Sequence, residues 1–298
     1  MRGKFAAPNL GCMAPAETVS ASCVWIIRGV AAVGNRLLHG VAGFGRFCDF
    51  FREVIIGLAF PKTWLRRDRL GRQLYEVGTR SIPVLAITGA FIGMTLAFEG
   101  YPQFRAIGQE GRLGGVINLS IVKQLGPVLA AIMLAGRVGC ALTAEIGSMR
   151  VTEQLDAMRA MASNPVRVLV VPRVLACVLM IPILTIVSNT CGVVGGWLVV
   201  TKFYKADPVA YVRYSELFVY GIDLYNGLIK SIFFGTAIGM VACYKGFNCR
   251  PGAEGVGAAT TQSFVTSFLA IIVQGMLLAK VLNDISYWMV GGVSSVFK

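Results

Sequence analysis

The chain has 298 residues, 55% of them hydrophobic and 14% charged, against roughly 25% charged in ordinary soluble domains. With a mean hydropathy of +0.67, this excludes a soluble globular protein, which could not cover its surface with so few charges, and argues for an all-α integral membrane protein. The net charge of +13 is then read as contact with anionic lipid heads and retention of basic loops in the cytoplasm, not as binding to nucleic acid.

Residues 1–18 read as a flexible N-terminus. Residues 19–60 are apolar but cut by Arg28, Arg36, Arg46 and Arg52. At about 100° per residue, Arg28 and Arg46 share one angle and Arg36 lies about 80° away. That arc suits an amphipathic helix lying in the headgroup plane. Two alternatives stand beside it. One is a poorly formed sixth span. The other is a targeting segment, since residues 1–48 hold one acid, Glu17.

Five long apolar runs follow, giving spans at about 81–100, 116–143, 174–201, 224–244 and 258–280. Twelve Lys and Arg flank them on the side of the N-terminus and seven on the other. The N-terminus is therefore expected in the cytoplasm and the C-terminal tail, 284–298, outside. Arg137 reads as a side chain that snorkels to headgroups. Lys123 and Gln124 precede Gly126-Pro127 near the other end of the second span. A cation there suits either a lipid phosphate or interfacial headgroups. Lys230 is favoured as a snorkelling anchor. Gly89/Gly93, Gly192/Gly196 and Gly235/Gly239 each form G-x-x-x-G, which suits tight packing or dimerisation.

Residues 145–165 read EIGSMRVTEQLDAMRAMASNP. Val151, Leu155, Met158 and Ala162 fall on one helical face. Asn164-Pro165 should stop the helix. The segment is either a surface connector or a coupling helix that docks into another protein. The glycine-rich 243–261 loop reads as a tight turn, with Thr260 or Thr261 near a helix start. No G-x-x-x-x-G-K-[ST] loop occurs, so energised transport would need a nucleotide-hydrolysing partner.

One histidine excludes multi-His metal sites and HExxH catalysis. Eight cysteines show no C-x-x-C pair, and a disulfide framework is not expected. A membrane-embedded lipid enzyme is a rival reading, but the span cores hold neither acids nor histidine. A scaffold that anchors an ATPase is a second rival.

The run LGPVLAAIMLAGRVGCALTAEIGSMRVTEQLDAM (125–158), with NPVRVLVVPRVLA (164–176), IKSIFFG (229–235), GAEGVGAATT (252–261) and Gly195-Gly196, strongly resembles the MlaE-type permeases of lipid-transporting ABC systems. The likeness implies a permease domain at 61–283. It implies a homodimer moving phospholipid between the inner membrane and a ring of periplasmic MCE-domain proteins. It also implies a cytoplasmic ABC ATPase that binds ATP and Mg, with no cofactor in this chain, and a small STAS-like subunit. Permeases for sterol or organic solvent are the alternative. The implied compartment is the inner membrane of a Gram-negative bacterium, or else a plastid inner envelope.

Carried over by position, the lipid pocket would include Leu96, Gln103, Phe104, Ile107, Lys123 and Gln124. The ATPase-coupling set would be Glu145, Arg150, Glu153, Gln154, Asp156 and Met158. The family commonly has Arg-Glu where this chain has Lys123-Gln124. Lys123 is therefore expected to be an unpaired point charge. Pro251, where glycine is common, is a smaller departure.

Overall fold

The computed structural model describes residues 42–43, 45–59 and 67–289. The chain divides into two units, Met1–Asp49 and Phe50–Lys298. In the first, residues 42–43 and 45–49 are described and are helical. Most of the expected interfacial helix, including Arg28 and Arg36, lies outside the described residues.

The second unit is all-helical among its described residues and holds five helices long and apolar enough to span a membrane. The first span, Leu70–Ala106, combines α1 (Arg67–Val77), a 3₁₀ turn (Thr79–Ser81) and α2 (Ile82–Ala106). The Ser81 hydroxyl donates to the Val77 carbonyl at 2.7 Å across that turn. The second span, Glu110–Val151, runs through α3 (Leu113–Ser120), α4 (Gly126–Leu134) and α5 (Cys140–Val151). Two π-helical segments, Ile121–Leu125 and Ala135–Gly139, join its pieces.

After α6 (Gln154–Ala160), the third span covers Val166–Phe203 and is centred on α7 (Val171–Leu198). Outside the spans, α8 (Pro208–Phe218) starts where Asp207 accepts from the Val209 amide at 2.9 Å. The last two spans are α9 (Gly221–Phe247) and most of α10 (Ala253–Met289). Each span runs past its apolar core, because charged residues at the ends extend a helix without entering hydrocarbon.

The packing centres on α7, which lies against α2, α4 and α9. Leu85, Leu134, Ile181, Leu184, Phe234, Ile238 and Ile271 form its fully buried core. All three glycine pairs serve this packing inside one chain. A Cβ on Gly93 would strike the Gly192 carbonyl, and one on Gly89 the Ser188 carbonyl. On the other side of α7, a Cβ on Gly235 would lie 2.9 Å from the Cys177 oxygen and one on Gly239 3.1 Å from Val174 Cα. Backbones approach this closely where at least one of the facing residues has no side chain.

The first residues of this unit are helical to residue 58. The Phe50 ring packs on Tyr244 and Phe247, with centroids 5.6 and 5.8 Å apart. The glycine-rich stretch differs from expectation. Its turn ends at Gly252 (φ +92°), and α10 starts at Ala253, seven residues before Thr260. Thr260 and Thr261 donate back to the Gly257 carbonyl and cap no helix start.

Candidate functional site

Pro127 has no N–H, so it cannot make the helical bond to the carbonyl four residues earlier. That carbonyl belongs to Lys123. In the structure it accepts instead from Lys230 Nζ of α9, at 2.9 Å. Lys230 also donates to Gln124 Oε1 at 2.6 Å. Lys230 is 2% exposed, so it is not the snorkelling anchor that its sequence context suggests. A buried cation needs acceptors within reach, and the proline supplies one by freeing it.

Lys123 also departs from expectation. It is not an unpaired point charge. Its Nζ lies 3.5 Å from Asp223 Oδ1 at the start of α9. Asp223 is 1% exposed, and its other oxygen accepts from the Tyr220 amide at 3.3 Å. The carboxylate missing beside Lys123 in sequence thus arrives from another span. The spacing Asp223, Asn226, Lys230 places three polar residues on one face of α9. That pattern was the available signal for both Asp223 and Lys230.

Lys123, Gln124, Lys230, Leu119, Ala279 and Asn283 line a cavity of about 540 Å³. Its depth follows from Arg137, whose Nη1 donates to the Arg80 carbonyl just before the first apolar run. Taking that level as one edge of the hydrocarbon, Lys123 lies fourteen residues away, about 21 Å along the span at 1.5 Å per residue. A core about 30 Å thick then buries Lys123 roughly 9 Å below the opposite edge.

The other proposed lipid residues are not on this cavity. Leu96 and Phe104 pack partly buried beside Tyr101, Leu113 and Val200. Gln103 is exposed, and Ile107 is 68% exposed. In that region Tyr101 and Tyr204 stack at 3.9 Å, and the Tyr101 hydroxyl donates to Glu110 Oε2 at 3.0 Å. Nearby, α8 seats Tyr211 and Tyr214 on Gly111, Gly114 and Gly115. The Tyr211 hydroxyl donates to Asn118 Oδ1 at 3.2 Å, and Asn118 Nδ2 donates to Ser215 Oγ at 2.8 Å. Burial pushes the Tyr211 phenol up to about 12, against a smaller lowering by Asn118.

The segment 145–165, expected to be a surface connector or a coupling helix, is not one helix with the second span. The chain breaks at Thr152 and at Glu153, which is left-handed (φ 56°). Leu155 is fully buried and Met158 half-buried. Ala162 falls outside α6 and is left-handed at φ 57°, so it does not complete the expected apolar face. Asn164 Oδ1 accepts from the Val166 amide at 3.0 Å and starts the third span. Glu153, Gln154 and Asp156 are exposed, and Arg150 is half-buried. Asp156 pairs with Arg159 at 2.6 Å. Glu145 faces inward to Arg173 Nη2 at 2.6 Å.

The Permease MlaE family model matches residues 70–281. The chain belongs to the MlaE permease family. A probable ABC transporter permease protein of Rickettsia felis is 37% identical over 251 residues, covering 84% of this chain and 95% of that protein. A probable ABC transporter permease protein of Synechocystis is 41% identical over 214 residues, covering 72% and 81%. The intermembrane phospholipid transport system permease protein MlaE of Haemophilus influenzae is 33% identical over 258 residues, covering 86% and 98%. This MlaE-family chain is thus a multi-pass ABC permease, whose part in transport is passage through the membrane.

Proposed function

We propose that this permease moves phospholipid between the inner membrane and periplasmic carriers of the MCE type. The observation that carries the reading is the cavity at Lys123 and Lys230. Two ammonium groups line it; Lys123 pairs with Asp223 while Lys230 is held by uncharged oxygens, so the site carries one positive charge without a carboxylate. A phosphodiester brings the missing negative charge, and ammonium groups bind phosphate as point charges. Lys230 has three N–H donors, of which two are used within the protein. Sterols and organic solvents offer no anion to this site. The name of the Haemophilus relative supports the same substrate class.

On this reading two copies of the chain form the passage. A cytoplasmic ATPase binds ATP and Mg and pushes on the segment around α6. A ring of MCE-domain proteins receives or delivers lipid on the far side, and a small STAS-like subunit completes the assembly. The compartment is the inner membrane of a Gram-negative bacterium.

Purification of the full chain from its native membrane, followed by mass spectrometry, should find an ATPase and phospholipid with it. Isolation with neither would overturn the proposal. Lys123→Glu places a second carboxylate against Asp223 and turns the cavity repulsive to phosphate. Retained phospholipid should fall about tenfold or more, since hydrogen bonds to charged groups contribute that much. Unchanged retention removes Lys123 from the site.

A further inference from the structure

Glu145 and Arg173 stand at the two roots of the coupling segment. Between them the chain leaves the second span, forms α6 and returns as the third. Arg173 is 3% exposed, while the Glu145 side chain is 41% exposed. Arg173 Nε and Nη1 are buried with no hydrogen-bond partner among the described residues. A single carboxylate therefore answers this buried guanidinium.

The segment has few other ties. Leu155 is the one buried residue of α6. Left-handed residues stand on either side of that helix, Glu153 before it and Ala162 after it. Such breaks separate α6 from the rigid spans. The ion pair instead joins the spans at the base of the loop, where closure removes most freedom from the chain between.

We propose that Arg173 is a positioning residue: its ion pair with Glu145 clamps the two roots of the coupling segment, so that a push on α6 moves the second and third spans as one body. This rests on the reading that a cytoplasmic ATPase acts on that segment. The two partners are not equivalent. Glu145→Gln leaves a buried guanidinium without its counter-charge, which is the costly way to break a buried pair. Arg173→Met removes the buried charge and leaves Glu145 partly in water. The first variant should lose both thermal stability and coupling. The second should keep its melting temperature and lose coupling.

The test uses the full chain purified with its ATPase and reconstituted in phosphatidylethanolamine–phosphatidylglycerol vesicles. Lipid transferred per ATP hydrolysed should fall about tenfold in Arg173→Met, with the ATPase still bound. The exchanged pair Glu145→Arg/Arg173→Glu should restore most of that ratio, which a merely structural role would not require. A parental ratio in Arg173→Met overturns the proposal, as does an exchanged pair that folds but stays uncoupled. Hydrogen exchange of amides 152–164 is read on this chain alone. It should speed up in Arg173→Met while amides of α9 stay protected, and unchanged exchange also overturns the clamp. A chain that proves to have no ATPase would defeat the functional reading and leave this last measurement standing.

Discussion

Pro127 shapes the candidate site through an atom that it lacks. The carbonyl freed at Lys123 becomes an acceptor for Lys230. Pro102 repeats the device, since the Phe98 carbonyl four residues earlier accepts from the Tyr204 hydroxyl at 3.4 Å. Pro127 was visible in sequence, but the donor that answers it comes from a distant span. Asp223 escaped for the same reason: a partner for Lys123 was sought beside it along the chain. The buried Lys230 yields a prediction. Lys230→Met removes the charge and its acceptors' load together, and the melting temperature should stay within a few degrees. Gln124→Leu keeps the ammonium and removes its nearest acceptor, at a cost of about 1–3 kcal/mol. Thermal unfolding of the two detergent-solubilised variants checks this order. A Lys230→Met protein less stable than Gln124→Leu would show that the ammonium holds the spans together.

The five spans were legible because apolar runs of this length have one stable solution in a bilayer. The helices continue through the charges at which the apolar runs stop, so the helical segment that carries the run 81–100 reaches from Leu70 to Ala106. The π segments left no mark on hydropathy. The coupling region was legible as a helix between two spans, but its breaks rest on left-handed backbone at Glu153 and Ala162, residues with no glycine to announce them. The glycine pairs were legible as close contacts, while their partners were not. These contacts are the element-scale prediction. Gly93→Ala sets a methyl group on the Gly192 carbonyl and should cost about 1–3 kcal/mol, as overpacking does. Gly257→Ala meets nothing within 4 Å and should stabilise α10 by about 0.5–1 kcal/mol. Melting of the two variants should move in opposite directions. Equal shifts would mean that α2 and α7 yield to the added methyl group without loss.

Five crossings among the described residues would put residues 67 and 289 on opposite sides of the membrane. On the orientation expected from the surplus of Lys and Arg, α6 would face the cytoplasm and α8 the far side. The second span then carries its two cation levels in a fixed sense. In that orientation Arg137 would lie at the cytoplasmic edge and Lys123 below the opposite one. On the proposed function, a lipid headgroup held at Lys123 would be nearer the compartment of the carrier, and the ATPase would act at α6, beyond the other end of the same span. Reversed orientation would separate neither function correctly, so topology is the test of the whole arrangement. An epitope inserted between Ala162 and Ser163 should be digested by protease added to inverted inner-membrane vesicles. A second epitope fused after Lys298 should be protected there and cut in spheroplasts. The opposite pattern would place α6 outside, away from ATP, and neither the coupling segment nor its Arg173 clamp could then transmit hydrolysis to the cavity.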